Sequence, residues 1–281
     1  MTVERCYRHL KNALSGVADG AEAYEAKEII GKVLHLSEAE IRMIPFSGKE
    51  VSPEAFSEME TIVRRRRSRE PLEYILGFAW FYGLCFSVSP DCLIPQADTE
   101  IVCEKLISYL KDGMRFADIC TGSGCIALAA LTNTKRTTAI GYDISEAALQ
   151  IAENNATQLR LSDRFQTQKA DVFAEDFLRG VDGLDCIVSN PPYIRTDVIP
   201  TLSPEVQKEP HIALDGGTDG LDFYRRLLTV CPAHIKKGGA LFLEIGYDQK
   251  NMLTSLCQQY GFTYEFYQDF GGNDRVCAVF L

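Results

Sequence analysis

Along the first 75 residues the apolar positions recur with helical spacing and no strand-like alternation. In "AYEAKEIIGKVLHLS", Ala23, Ala26, Ile29, Ile30, Val33 and Leu34 share one face with charges opposite. Ser52 and Pro53 then open a second helix that runs through Arg67, with Ser52 as N-cap and Pro53 in the first turn. From Gly77 the texture becomes aromatic and β-branched, "GFAWFYGLCFSVSPDCLIP", which predicts a β-hairpin turning near Gly83. Beyond Glu100, apolar β-branched runs alternate with helical stretches, as a parallel sheet with crossover helices requires. Strands are predicted at 115–120, 138–143, 165–170, 184–189, 239–245, 262–268 and 275–280. Only "FGGND" separates the last two, too little for a crossover helix, so they form an antiparallel hairpin. The fold class is therefore α/β: a seven-stranded doubly wound, Rossmann-like domain over 99–281, a small helical domain over 1–75 and a β-hairpin linker over 76–98.

Composition narrows the class. The chain has 281 residues, 46% of them hydrophobic, enough for a packed core. No run offers about 18 uninterrupted apolar residues and no leader precedes the first helix, so a cytoplasmic location and no membrane are expected. Ten cysteines are scattered without a CxxC pair, which predicts reduced, packed thiols and no metal site. The net charge of −10 is concentrated in 76–281, which weighs against a nucleic-acid groove. "RRRRSR" at 64–69 stands out locally. It is either a solvated helix end whose cations suit the C-terminal dipole or a docking patch for an acidic partner or for RNA.

Candidate chemistry lies at the strand ends. "FADICTGSGCIA" carries the first strand into a glycine turn, Cys120, Thr121, Gly122, Ser123 and Gly124, where backbone N–H groups can meet a ligand. Asp143 ends the second strand, placed to hold ribose hydroxyls. NAD and S-adenosylmethionine both fit this much. Asp118, four residues before Gly122, favours the second, because its charge repels a pyrophosphate and attracts an amino group and a sulfonium. Asp171 after the third strand adds an acceptor for an adenine amino group, with Val172 and Phe173 against the ring.

The fourth strand ends in Asn190, Pro191, Pro192 and Tyr193, facing the cofactor across the switch point. A planar nitrogen with a delocalised lone pair is a poor nucleophile. The Asn190 side-chain oxygen and the Pro191 carbonyl, held by two fixed φ angles, can accept its two hydrogens as charge grows on it, and Tyr193 offers a face for stacking.

On these residues the chain resembles the HemK/PrmC family, peptide chain release factor N5-glutamine methyltransferases. The likeness includes "EPLEYILG" at 70–77, "LIPQADTE" at 93–100, "DICTGSG" at 118–124, "SNPPYI" at 189–194, "EPHIALDGGTDGLDFYR" at 209–225 and "GGNDRV" at 271–276. The resemblance implies a class I methyltransferase domain that uses S-adenosyl-L-methionine, with S-adenosyl-L-homocysteine as product. It implies methylation of the glutamine in the Gly-Gly-Gln motif of class I release factors, cofactor contacts at Cys120 to Gly124, Asp143, Val172 and Asn190, and substrate contacts at Asn190 to Tyr193. A monomer without direct nucleic-acid binding is expected. Gln96 and Ala97 depart from the family's Arg and Pro, and Cys120 replaces its first loop glycine, read as a packed, non-nucleophilic wall. Two other functions share the fold: an amino-methyltransferase acting on a nucleobase of RNA or DNA, and a non-catalytic nucleotide-binding module.

Overall fold

The computed structural model describes residues 1–281, which divide into two compact units: Met1–Gly77 with Ser203–Lys208, and Phe78–Leu202 with Glu209–Leu281.

The smaller unit is helical, with α1 (Val3–Ala13), α2 (Glu22–Leu34), α3 (Glu38–Met43), α4 (Pro53–Arg67) and α5 (Leu72–Leu76). The hydroxyl of Ser52 accepts the Ala55 N–H at 3.1 Å and Pro53 occupies the first turn, as the sequence predicts. The arginine run is not a plain solvated end. Arg66 is buried: its guanidinium donates to both Glu25 oxygens at 3.1 Å, to Glu205 at 2.8 Å and to the Val17 carbonyl at 2.6 Å. Arg65 pairs with Glu70, and Arg69 with Glu205 at 3.1 Å. Helical phase explains the difference, since only one of four consecutive residues can sit at the centre of the buried face. Deleting that one cation would strand the buried Glu25 carboxylate, at a cost of about 3–5 kcal/mol, while Glu205 would keep Arg69. Arg64 and Arg67 stay exposed.

The larger unit begins with the hairpin β1 (Phe78–Phe81) and β2 (Leu84–Ser87), closed by the two-residue turn Tyr82–Gly83. Next come α6 (Glu100–Tyr109), β3 (Arg115–Ile119), α7 (Cys125–Thr132), β4 (Thr138–Asp143), α8 (Glu146–Gln158), β5 (Phe165–Lys169) and β6 (Leu184–Ser189). The chain ends in α9 (Asp222–Val230), β7 (Ile235–Glu244), α10 (Lys250–Tyr260), β8 (Thr263–Gln268) and β9 (Asp274–Phe280). All seven strands predicted beyond residue 100 are present.

The sheet order is β5-β4-β3-β6-β7-β9-β8, with every strand running the same way except β9, which is antiparallel to both its neighbours β7 and β8. Alternation sends Phe116, Cys186, Val188, Ala240 and Phe242 into one core, and Ala117, Ile119, Ile187, Leu241 and Leu243 into the other. Both faces are covered, so these strands read as apolar runs. The order reverses between β3 and β6, whose carboxyl ends are level: Ile119 pairs with Ser189. A ligand crevice is expected at that point. The hydroxyl of Ser189 donates to the Ile119 carbonyl at 2.6 Å and ties the two ends together.

Candidate active site

At the β3 end Asp118 is 0% exposed. One carboxylate oxygen accepts the Thr121 hydroxyl at 2.8 Å and the Ala127 N–H at 3.3 Å; the other, Oδ1, has no hydrogen-bond partner. Burial pushes its pKa up from 3.8 to about 7, against those two hydrogen bonds and with the nearby Asp143 charge adding to the rise. Asp118 thus staples the loop from below. Cys120 takes φ 59°, a left-handed conformation that costs an L residue about 1–2 kcal/mol. Its thiol is held well above the ordinary value, first by burial and then by the Asp143 and Asp118 charges, which keeps it protonated.

Asp143, at the β4 end, accepts the Gly122 N–H and the Ser145 N–H, both at 2.9 Å, one on each carboxylate oxygen. These bonds oppose a rise in its pKa caused by burial. Each oxygen retains a lone pair for a hydroxyl. Asp171 orders its own turn by accepting the Phe173 N–H at 2.8 Å. Phe173 is half exposed and meets Phe223 edge-on, ring centroids 4.9 Å apart.

These groups enclose a cavity of about 270 Å³ lined by Asp143 and Asp171, by Tyr142, Ile144, Val172, Phe173 and Phe223, and by Cys120 and Gly122. Two carboxylates above apolar and aromatic walls fit a nucleoside: the carboxylates match ribose hydroxyls and a base amino group, and the walls match a flat base. A smaller cavity of about 40 Å³ adjoins it, between Leu93–Gln96 and Thr99 on one side and Cys120–Ser123 on the other. Asn190 lines both cavities. Asp118, Gly124, Pro191 and Tyr193 line neither, Thr121 and Ser123 line only the smaller, and Pro192 only the larger.

The turn at the β6 end is held by distant residues. The Asn190 amide donates to the Thr99 hydroxyl at 3.3 Å. The Tyr193 hydroxyl donates to Glu244 Oε1 at 3.3 Å, and the Tyr193 carbonyl accepts the Gln249 amide at 3.0 Å. The same Gln249 amide reaches the Gly220 carbonyl at 3.1 Å, while its oxygen accepts the Gly246 N–H at 2.8 Å. Ile194 exchanges backbone hydrogen bonds with Leu214 and Gly216 at 2.9 and 2.8 Å. A Cβ on Gly216 would stand 2.7 Å from the Tyr193 Cα, and one on Gly220 2.5 Å from the Tyr193 carbonyl oxygen. The glycines of "LDGGTDG" are therefore spacers that let this segment close on the turn. Thr99, Glu244, Gln249, Gly216 and Gly220 carry no chemistry-bearing signal in isolation. Two of them lie in the stretches "LIPQADTE" and "ALDGG", where a short run of small and polar residues is the only local mark.

Comparison with known proteins agrees with this geometry. The family described as the PrmC N-terminal domain matches residues 6–77, and the methyltransferase small domain matches 97–202. The release factor glutamine methyltransferase of Thermodesulfovibrio yellowstonii is 36% identical over 268 residues, covering 91% of each chain. That of Moorella thermoacetica is 38% identical over 261 residues, covering 91% of this chain and 90% of its own. A Pyrococcus furiosus methyltransferase structure overlays with TM-score 0.51 at 19% identity, covering 71% of this chain and 90% of that one, a likeness of fold. Identity above one third across nine-tenths of the length, with both domains matched in order, places this chain in the release factor glutamine methyltransferase family.

Proposed function

We propose that the protein transfers the methyl group of S-adenosylmethionine to N5 of the glutamine in the Gly-Gly-Gln motif of a class I release factor, releasing S-adenosylhomocysteine. The observation that carries this assignment is the position of Asn190, a polar amide at the junction of the two cavities and level with the cofactor loop.

Asp143 would hold the ribose hydroxyls, Asp171 the base amino group, Val172, Phe173 and Phe223 the base, and the Cys120 to Gly124 backbone the remainder. Bound there, the sulfonium supplies an electrophilic methyl carbon. The chain's own contribution is to hold the acceptor amide. Asn190 Oδ1 accepts one N–H and the Pro191 carbonyl the other, so positive charge growing on nitrogen meets two fixed dipoles. Pro192 and Tyr193 keep that turn rigid. The amide proton leaves after transfer, so no general base need precede it. Alignment of nitrogen, carbon and sulfur supplies the remaining acceleration.

The helical unit, which matches the PrmC N-terminal domain, serves recognition of the release factor in this proposal. The enzyme works as a cytoplasmic monomer without a nucleic-acid contact. The acidity of residues 76–281 weighs against a nucleic-acid contact, and no helix is long and apolar enough to cross a membrane. The test is mass mapping of a release factor incubated with the protein and S-adenosylmethionine. A single added methyl on the Gly-Gly-Gln glutamine is expected; methylation elsewhere, or none, would refute the assignment.

A further inference from the structure

Two aromatic side chains stand exposed at the sheet edge from which the acceptor turn leaves. Phe270, at the tip of the β8–β9 hairpin, is 100% exposed, and Tyr247, in the loop after β7, is 66% exposed. Glu244 pairs with Val276 and the Ile245 N–H donates to the Arg275 carbonyl at 2.9 Å, so both loops lie beyond the same end of the β7–β9 pair. Ser189 stands opposite Leu243, which puts the carboxyl end of β6 at that edge too.

The tip that carries Phe270 is not a loose end. Asp269 accepts the Gly271 N–H at 2.8 Å, the Asn273 N–H at 2.9 Å, the Asn273 amide at 3.2 Å and the Arg275 guanidinium at 3.1 Å. The Asp269 N–H in turn donates to the Asn273 carbonyl at 2.9 Å and closes the loop. The phenyl ring takes no part in this. Arg275 carries the tie inward: it pairs with Asp98 at 2.6 Å, and the next residue, Thr99, accepts the Asn190 amide at 3.3 Å. On the other loop Gln249, two residues after Tyr247, holds the Tyr193 carbonyl at 3.0 Å. Each exposed aromatic therefore rides on a loop whose inner residue grips the acceptor turn or its support.

A phenyl ring wholly in water adds nothing to the fold and gains free energy only when a partner covers it. Because its loop is already ordered, little entropy is lost when that happens. The chemistry of the acceptor identifies the partner. A glutamine preceded by two glycines has no side chain on that flank to grip, so the polypeptide around it must supply the binding energy that aligns the amide. We propose that Phe270 and Tyr247 anchor the release factor segment flanking the Gly-Gly-Gln motif, packing their rings against apolar side chains of that segment. The inference rests on the function proposed above and deepens it by naming where the substrate chain docks. Charges at this rim are paired among themselves, Asp269 and Asp98 with Arg275 and Asp274 with Lys250 at 2.9 Å, which favours an apolar flank over a charged one.

The experiment measures kcat and KM for an intact class I release factor at saturating S-adenosylmethionine. Phe270→Ala should raise KM roughly tenfold and Tyr247→Ala about threefold, and the double variant should raise it on the order of thirtyfold. In all three, kcat should stay within about twofold of wild type and calorimetry should show unchanged cofactor affinity. Phe270→Leu, which keeps an apolar side chain, should recover most of the loss. Tyr260→Ala removes an exposed aromatic at the opposite edge of the sheet and should leave KM unchanged. An unchanged KM in the double variant would overturn the docking surface, as would equal KM values for Phe270→Leu and Phe270→Ala. Sedimentation showing a dimer that Phe270→Ala dissolves would assign the ring to a second copy of this chain and overturn it as well. If the Phe270 variants do not fold, Tyr247→Ala against Tyr260→Ala decides. Wild-type methylation of the release factor beside an unaffected double variant removes only the docking surface, whereas a wild-type enzyme that methylates no release factor removes the proposed function and the docking surface with it.

Discussion

The two strand ends that meet at the switch point are built on opposite plans. At β3 the supports are local: Asp118 holds Thr121 and Ala127, three and nine residues away, and Asp143 on the neighbouring strand takes the Gly122 N–H. At β6 they are remote. The turn from Asn190 to Tyr193 leans on Thr99, 91 residues back, and on Glu244 and Gln249, more than 50 residues ahead. A local cradle can be specified by one short motif and tolerates change around it. A turn clamped from three directions is sensitive at every clamp, which suits a group that must hold a reacting atom to within a fraction of an ångström.

The contrast breaks most severely at the clamped end. Asn190→Ala should lower single-turnover methylation of a release factor by roughly 10²–10³, the scale of one preorganised transition-state contact. Calorimetry should show S-adenosylmethionine still bound, since the β3 end is untouched. A folded variant with near-normal turnover would return the Asn-Pro-Pro-Tyr turn to a purely structural role.

Gly220→Ala tests whether remote clamps matter without any change in reacting groups. The new Cβ would stand 2.5 Å from the Tyr193 carbonyl oxygen and 2.9 Å from the Gln249 amide, at φ 75°. The turn must shift, at a cost of about 1–3 kcal/mol in stability, with turnover reduced on the order of tenfold and cofactor affinity retained. Equal loss of cofactor affinity and turnover would mean that the two ends are not independent.

This difference also decided what could be read from the chain. The strand ends, the sheet and the hairpins follow from apolar period and turn residues, and the glycine loop with Asp143 is recognisable because its parts are near in sequence. Thr99, Glu244 and Gln249 are ordinary polar residues until the sheet brings them under one turn. Arg66 looks like its three neighbours, and only helix phase against Glu25 and Glu205 reveals it as a buried ion. Asp118 was legible as a strand-end acid, but its burial under the loop, with one oxygen unpartnered, was not.

Asp143→Ala probes the local cradle directly. It removes the acceptor of the Gly122 and Ser145 N–H groups as well as the carboxylate facing the cavity. Affinity for S-adenosylmethionine should weaken by roughly 1–3 kcal/mol, the scale of charge-assisted hydrogen bonds. Turnover at saturating cofactor should recover most of its wild-type value, because the β6 turn is intact. Unchanged affinity by calorimetry in a folded variant would remove Asp143 from the cofactor site.

The smallest effect is expected at Cys120, the most strained residue of the local cradle. Replacing it by glycine relieves a left-handed L residue worth about 1–2 kcal/mol. It also gives the unfolded chain more freedom, which costs about 0.5–1 kcal/mol, and it removes a thiol that lines both cavities. The contributions oppose one another, so Cys120→Gly should change stability by less than about 1 kcal/mol, a shift of roughly 2–4 °C in Tm at most. Because the thiol is held protonated by burial and by two neighbouring carboxylates, it supplies no nucleophile, and single-turnover rates should match wild type. A large loss of turnover would show that the sulfur does chemistry or shapes the acceptor's position. A small change in Tm and turnover at this left-handed position, set against a large loss of turnover in Gly220→Ala at its own left-handed position, would show that the loss at Gly220 follows from the contact with the Tyr193 carbonyl rather than from a left-handed L residue as such.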